Sequence, residues 1–272
     1  MKLPQRYAGL IAVLLAAAAQ PAGSAQPVAA DVPVARTDAN SLRAHEDLLA
    51  KRHKGRIDVY LLGDSITRRW GAAEPKYSAL LEHWKASFFG WNAANFAWGG
   101  DTTQNILWRL EAGELTGVNP KVMVLMAGTN NLNVPALARG EEPLAADIVR
   151  GLEAIVRRCR ELAPEARIVL MGITPRNDEM RYMPVIRRVN QRLAALADGT
   201  RIRFLDLDSK LAQPDGKLRP GMTDPDRLHL ALPAYSAWAQ ALRPVLTEWL
   251  GPPAATDAAP PPTGDPSAMG GG

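Results

Sequence analysis

Four short runs of the chain, 57–62, 122–126, 168–171 and 202–205, are dominated by Val, Ile, Leu and Met with little polar alternation. A strand that is apolar on both sides has to be covered on both faces, as in a parallel sheet held between two helix layers. A fifth stretch, 88–96, is weaker because Gly90 and Asn92 interrupt it. Between these runs lie stripes at helical spacing. Ile148, Leu152, Ile155, Val156, Cys159 and Leu162 form one, following Pro143. Met183, Ile186, Val189, Leu193 and Leu196 form a second, and Tyr235, Trp238, Leu242, Val245, Leu246 and Trp249 a third after Pro233. Three- and four-residue steps put each set on one helix face. The expected fold class is therefore α/β, a three-layer α/β/α sandwich around a mostly parallel central sheet of about five strands.

A hydrophobic fraction of 47% is enough to fill the core of such a domain. The single cysteine, Cys159, cannot form an internal disulfide, and its place on an apolar stripe makes it packing rather than chemistry. A net charge of +4 spread over 272 residues does not point to nucleic acid. The pairs Arg68-Arg69, Arg157-Arg158 and Arg187-Arg188 lack interleaved aromatics and read as solvated helix faces. Residues 1–25 read as an export signal: Lys2 and Arg6, an apolar run over 10–19, then Gly23-Ser24-Ala25. That run is too short to span a bilayer, and no cysteine at the cleavage point offers a lipid anchor. The expected organisation is a signal at 1–25, a flexible mature N-terminus at 26–40, one domain at 41–250, and a disordered tail at 251–272. The tail is mostly Pro, Gly and Ala, with too few large apolar groups to offset the entropy of ordering it. The expected setting is periplasmic or secreted, without a stable membrane anchor.

In a parallel α/β sheet, ligands bind beyond the carboxyl ends of the strands. Four polar blocks fall there or in the loop before the last helix: Gly63-Asp64-Ser65, Gly99-Gly100-Asp101, Gly128-Thr129-Asn130-Asn131, and Asp226-Arg227-Leu228-His229. Each alone has an ordinary explanation as a cap or turn. Together they supply the parts of an acyl-transfer site. Ser65 serves as nucleophile, His229 as base, and Asp226 as the group that orients the imidazole. The backbone N–H groups of Ser65 and Gly100 and the Asn130 amide serve as oxyanion donors.

These blocks resemble the SGNH (GDSL) hydrolases, over roughly residues 58–249. The strings GGDTT, LWRLEAGEL, GTNN and LHL are similar to the alpha-type catalytic subunits of platelet-activating-factor acetylhydrolase. The resemblance implies the flavodoxin-like version of the sandwich and a serine esterase that needs no cofactor or metal. It implies short-chain, acetyl-like esters as substrates, with Ile66, Thr129 and Leu228 walling the acyl pocket. The partner is a small-molecule or glycan ester, and the acetylhydrolase branch adds the expectation of a homodimer. Two alternatives stand beside this reading: an exported module of the same fold that binds carbohydrate or lipid without turnover, and a lysophospholipase or thioesterase preferring longer acyl groups. Trp70, Trp98 and Trp108 are candidates either for sugar stacking or for core. A nucleophile elbow of the α/β-hydrolase type would need Gly two positions after Ser65, where Thr67 stands. The four histidines, at 45, 53, 83 and 229, show no zinc-ligand spacing.

Overall fold

The computed structural model describes residues 27–269, so the expected export signal at 1–25 lies outside the described residues. The strands are β1 (Val59–Gly63), β2 (Ala93–Asn95), β3 (Val122–Met126), β4 (Arg167–Met171) and β5 (Ile202–Leu205). The helices are α1 (Ala39–Lys51), α2 (Ser65–Arg69), α3 (Ser78–Phe88), α4 (Thr103–Glu111), α5 (Val134–Leu137) and α6 (Glu141–Leu162). They continue with α7 (Met183–Ala194), α8 (Asp208–Leu211), α9 (Leu232–Leu250) and α10 (Pro266–Met269). The strands form a five-stranded sheet in the order β2-β1-β3-β4-β5, every neighbouring pair parallel. In its register, Tyr60 lies beside Met123 and Val124 beside Val169.

Side chains alternate between the two faces of a strand, and both faces are apolar here, so each finds its own helix layer. Tyr60, Leu62, Met123, Leu125, Ile168 and Leu170 belong to a core shared with α4, α6 and α7. Val59, Leu61, Val122, Val124, Val169 and Met171 belong to a second core with α3 and α9. All three helical stripes are found on buried faces, and Cys159 is buried within the first core. Burial pushes its thiol up to about 12, which suits packing rather than nucleophilic chemistry. Among the described residues, no helix is long and apolar enough to cross a membrane.

Two expectations change here. The weak run at 88–96 yields a strand of only three residues, because the chain turns through Gly90 (φ +85°) and Asn92 (φ +49°) before it becomes extended. Arg68 and Arg69 are half-buried rather than solvated: Arg68 pairs with Glu74 and stacks 4.7 Å from the Trp98 ring, while Arg69 pairs with Asp224. Arg187 and Arg188 are exposed, as expected.

The two ends also differ from the flexible segments that composition suggested. Residues 252–269 run back along the domain as a strap. Asp257 Oδ2 accepts the N–H of Gly90 (2.6 Å) and of Asn92 (3.3 Å), and Asp265 accepts from the Asn40 amide at 2.9 Å. Thr263 O accepts the Ala73 N–H at 3.2 Å. The missing apolar burial is replaced by these hydrogen bonds, and six prolines restrict the unfolded chain, so ordering the strap loses less entropy. Residues 27–38 are likewise docked. Val34 N–H donates to Gln104 O at 3.0 Å, and Thr103 Oγ1 donates to Ala30 O at 2.7 Å.

Candidate active site

The chain leaves β1 toward the layer that holds α3, and it leaves β3 toward the layer that holds α6. β1 and β3 are neighbours, so their exits diverge and open a crevice at the carboxyl ends of the strands. Ser65, the Gly99–Asp101 loop and Asn130 follow β1, β2 and β3 around it.

Ser65 is the first residue of α2, capped by the Asp64 carboxylate, which accepts the Ile66 N–H at 2.9 Å. Burial pushes the Asp64 carboxyl up to about 7, with the nearby Asp101 carboxylate adding to the shift. Gly63 has no substitute at its position, since an added Cβ would lie 2.2 Å from the Met126 carbonyl oxygen on β3. The close approach of β1 and β3 fixes where Ser65, two residues on, emerges.

His229 arrives from a loop closed by the bridge between Thr223 and Leu230. The Asp224 N–H donates to His229 O at 2.8 Å, and the Arg227 N–H donates to Asp224 O at 2.9 Å. Arg227 adopts φ +64°, a left-handed turn that swings the following residues back over Ser65. His229 Nε2 lies 2.8 Å from Ser65 Oγ, and its Nδ1 lies 2.6 Å from Asp226 Oδ2. Asp226 Oδ1 accepts the N–H groups of Leu228 (3.0 Å) and His229 (2.9 Å). Against the partial desolvation that would raise it, these hydrogen bonds and the His229 ring hold the Asp226 carboxyl at about 2. Burial lowers the His229 pKa below the ordinary 6.5; the Arg69 cation adds to the fall and the Asp226 hydrogen bond opposes it. A neutral imidazole with its Nδ1 proton on Asp226 has Nε2 free to accept the serine proton.

On the opposite side, Gly99 and Gly100 bend over the nucleophile. A Cβ added at Gly99 would lie 3.9 Å from Ser65 Cβ, and Gly100 takes φ +76°, which glycine adopts without strain. Asn130 sits in the turn Thr129–Asn131, and its Nδ2 donates to Asp101 O at 2.9 Å. That bond uses one of two amide protons and fixes the plane of the other. Asn131 anchors the block to α4: its Oδ1 accepts the Thr103 N–H at 3.1 Å.

The structure thus brings Ser65, Asp226, His229, Gly100 and Asn130 to one crevice. The expected acyl walls fare differently. Leu228 is half-buried beside the histidine. Ile66 is 1% exposed and packs into the core beneath α2, because the second position of that helix faces the sheet rather than the crevice. Thr129 is buried, its hydroxyl accepting from Arg176 Nη1 at 3.2 Å. Arg176 is held by both oxygens of Asp178 and stacks 5.0 Å from the Tyr182 ring. Tyr235 was read only as a stripe residue, yet its buried hydroxyl donates to Ile66 O at 2.7 Å. It joins the helix after His229 to the helix that carries Ser65. Trp70 and Trp98 are buried and Trp108 is half-buried, so the first two are core. Of the other histidines, His45 pairs with Glu114, His83 accepts from Trp70 Nε1, and His53 is exposed.

Residues 61–237 match the GDSL-like lipase/acylhydrolase family. The chain is 32% identical over 232 residues to platelet-activating factor acetylhydrolase IB subunit alpha1 of Bos taurus, covering 84% of this chain and 92% of the relative. It is 33% identical over 163 residues to the alpha2 subunit of Rattus norvegicus, covering 59% of this chain and 64% of the relative. In three dimensions it is similar to a GDSL-like lipase from Bacteroides thetaiotaomicron, with a TM-score of 0.56 at 18% identity, over 78% of this chain and 98% of the other. A member of the lipolytic G-D-S-L family from Veillonella parvula gives 0.55 at 22% identity, over 70% and 98%. The order of the blocks, the geometry around Ser65 and these similarities agree: the chain belongs to the GDSL-like lipase/acylhydrolase family and is a GDSL-type serine carboxylic ester hydrolase.

Proposed function

We propose that the protein hydrolyses short-chain carboxylic esters, acetyl esters foremost, through an acyl-serine intermediate. The Ser65 hydroxyl attacks the ester carbonyl as His229 Nε2 takes its proton. The tetrahedral oxyanion is received by the N–H groups of Ser65 and Gly100 and the second amide proton of Asn130. The imidazolium, stabilised by Asp226, returns its proton to the departing alcohol. Water deprotonated by the same ring then attacks the acyl carbonyl and releases the acid, restoring Ser65. The observation that carries this reading is the chain of contacts from Ser65 Oγ to His229 Nε2 at 2.8 Å and from His229 Nδ1 to Asp226 Oδ2 at 2.6 Å.

Two things support a short acyl group. The relatives just described are named acetylhydrolases. Leu228, next to His229 in the chain, also leaves a bulky, half-buried side chain on the loop that carries the base. Discrimination by a filled pocket amounts to about 1–3 kcal/mol per methylene, so the preference falls off in steps. The proposed setting is outside the cytoplasm, supported by the charge–apolar–small order of residues 1–25.

The test is a panel of acetyl, butyryl and octanoyl p-nitrophenyl esters, with fluorophosphonate labelling and the Ser65→Ala variant as control. Expected are the highest kcat/KM on acetyl, labelling at Ser65, and no turnover by S65A. Folded wild-type protein that neither labels nor hydrolyses is a binding module, and a maximum on octanoyl overturns the acyl preference.

A further inference from the structure

Residues 27–38 precede the span that matches the family, and from this segment Arg36 reaches the reaction centre. Its Nη1 donates to Gly99 O and to Asp101 Oδ1, both at 3.2 Å, and a Cβ added at Gly100 would lie 3.3 Å from the same nitrogen. Its Nε and Nη2 rest on Asp38 Oδ2 at 3.1 and 3.0 Å, and Asp38 caps α1 through the Ser41 N–H. The other side of Asp101 is held from within, where Arg109 Nε donates to Oδ2 at 2.5 Å. The Asp101 backbone oxygen in turn receives the Asn130 amide.

We propose that Arg36 is a positioning residue for the oxyanion side of the site. It aligns the Gly100 N–H directly and the Asn130 amide through Asp101. The proposal rests on the esterase reading above. Two consecutive glycines leave the 99–100 backbone free to turn, and outside contacts help to hold its N–H on the developing oxyanion. A guanidinium suits this role because its fork grips two partners in one plane while its other edge stays on α1. The oxyanion exists only in the transition state and the intermediates around it, so a loosened loop lowers kcat and leaves substrate binding nearly unchanged.

The experiment measures kcat and KM of full-length wild type, Arg36→Ala and Arg36→Lys on an acetyl ester, with and without millimolar guanidinium chloride. Expected is a kcat about tenfold lower in R36A, a fraction of the 10²–10³ lost with a whole oxyanion donor. KM should stay within about twofold, since ground-state binding is untouched. R36K should fall between the two, and free guanidinium should restore part of the R36A rate, which a purely structural role would not allow. Wild-type kcat in R36A, a loss confined to KM, or a loss indifferent to guanidinium overturns the proposal. If R36A melts far below wild type, Arg36→Gln and R36K carry the same comparison. An inactive, unlabelled wild type would instead bring down the esterase reading itself.

Discussion

Two loops flank the nucleophile, and they are held by different means. The 223–230 loop is fastened mainly by short-range bonds, with Arg69 on Asp224 and the N–H groups of Asn177 and Asp178 on Arg227 O as ties from outside. Asp226 and His229 are three residues apart, the Asp226 side chain is 44% exposed, and backbone hydrogen bonds within the loop set its shape. The 99–101 loop is fastened from a distance. Asp101 is fully buried between Arg109 on α4 and Arg36, 65 residues upstream. Arg109 continues inward to Glu114 at 3.3 Å, and Glu114 to His45 at 2.6 Å. A histidine that must accept and return a proton gains from an edge open to water and a locally tuned partner. A pair of glycines aiming N–H groups gains from a rigid ionic backing. The first loop should therefore be breakable without unfolding the protein, whereas the second ties catalysis to stability.

The sharpest way to test the contrast is Asp226→Asn. The amide cannot hold the same imidazole tautomer, so kcat should drop by about 10⁴, or about 5.5 kcal/mol of transition-state stabilisation. Thermal unfolding should stay near wild type, and a large fall in Tm would erase the distinction between the loops. Asp101→Ala should lower stability and kcat together, leaving Arg109 and Arg36 facing a void. Removing one member of a buried ion pair costs about 3–5 kcal/mol. Denaturant unfolding should register it; unchanged stability would mean that the buried network carries no weight. Asn130→Ala is smaller again, with kcat lower by about 10²–10³, or about 2.7–4 kcal/mol, for one lost oxyanion donor. An unchanged kcat would remove the amide from the oxyanion site.

The smallest effect is in pH. Burial and Arg69 lower the His229 pKa, and the base must be neutral to act. Activity should thus be lost as pH falls, with the limb centred below the ordinary value of about 6.5. A limb at or above that value, or a flat profile, would contradict the role given to the exposed loop.

The strands at 122–126 and 202–205 were legible to the residue, and the helix stripes were legible to within a turn or two. Burial on both faces leaves only apolar letters, and such letters announce themselves locally. The groups proposed to react stood out for a related reason: each sits in a short block near a glycine or in the loop before α9, where the backbone must turn. The supporting groups were not. Tyr235 reads as one more stripe residue until its hydroxyl is seen on Ile66 O. Arg176 and Arg36 are ordinary arginines in loops until Thr129 and Gly99 are found against them. The strap shows a related failure: composition argued for disorder because it counts apolar area, and it does not count hydrogen bonds such as those from Asp257 to Gly90 and Asn92.

Periodicity and block order in the chain were thus enough to specify a parallel sandwich and a serine, a histidine and a carboxylate near its crevice. Only the folded molecule decided which long side chains back those groups, because a guanidinium on a flexible stem can reach partners in any direction. Its choice depends on distances that no short-range pattern encodes. The same holds for Ile66: its neighbourhood to Ser65 in the chain suggested a pocket wall, and the turn of α2 sent it into the core.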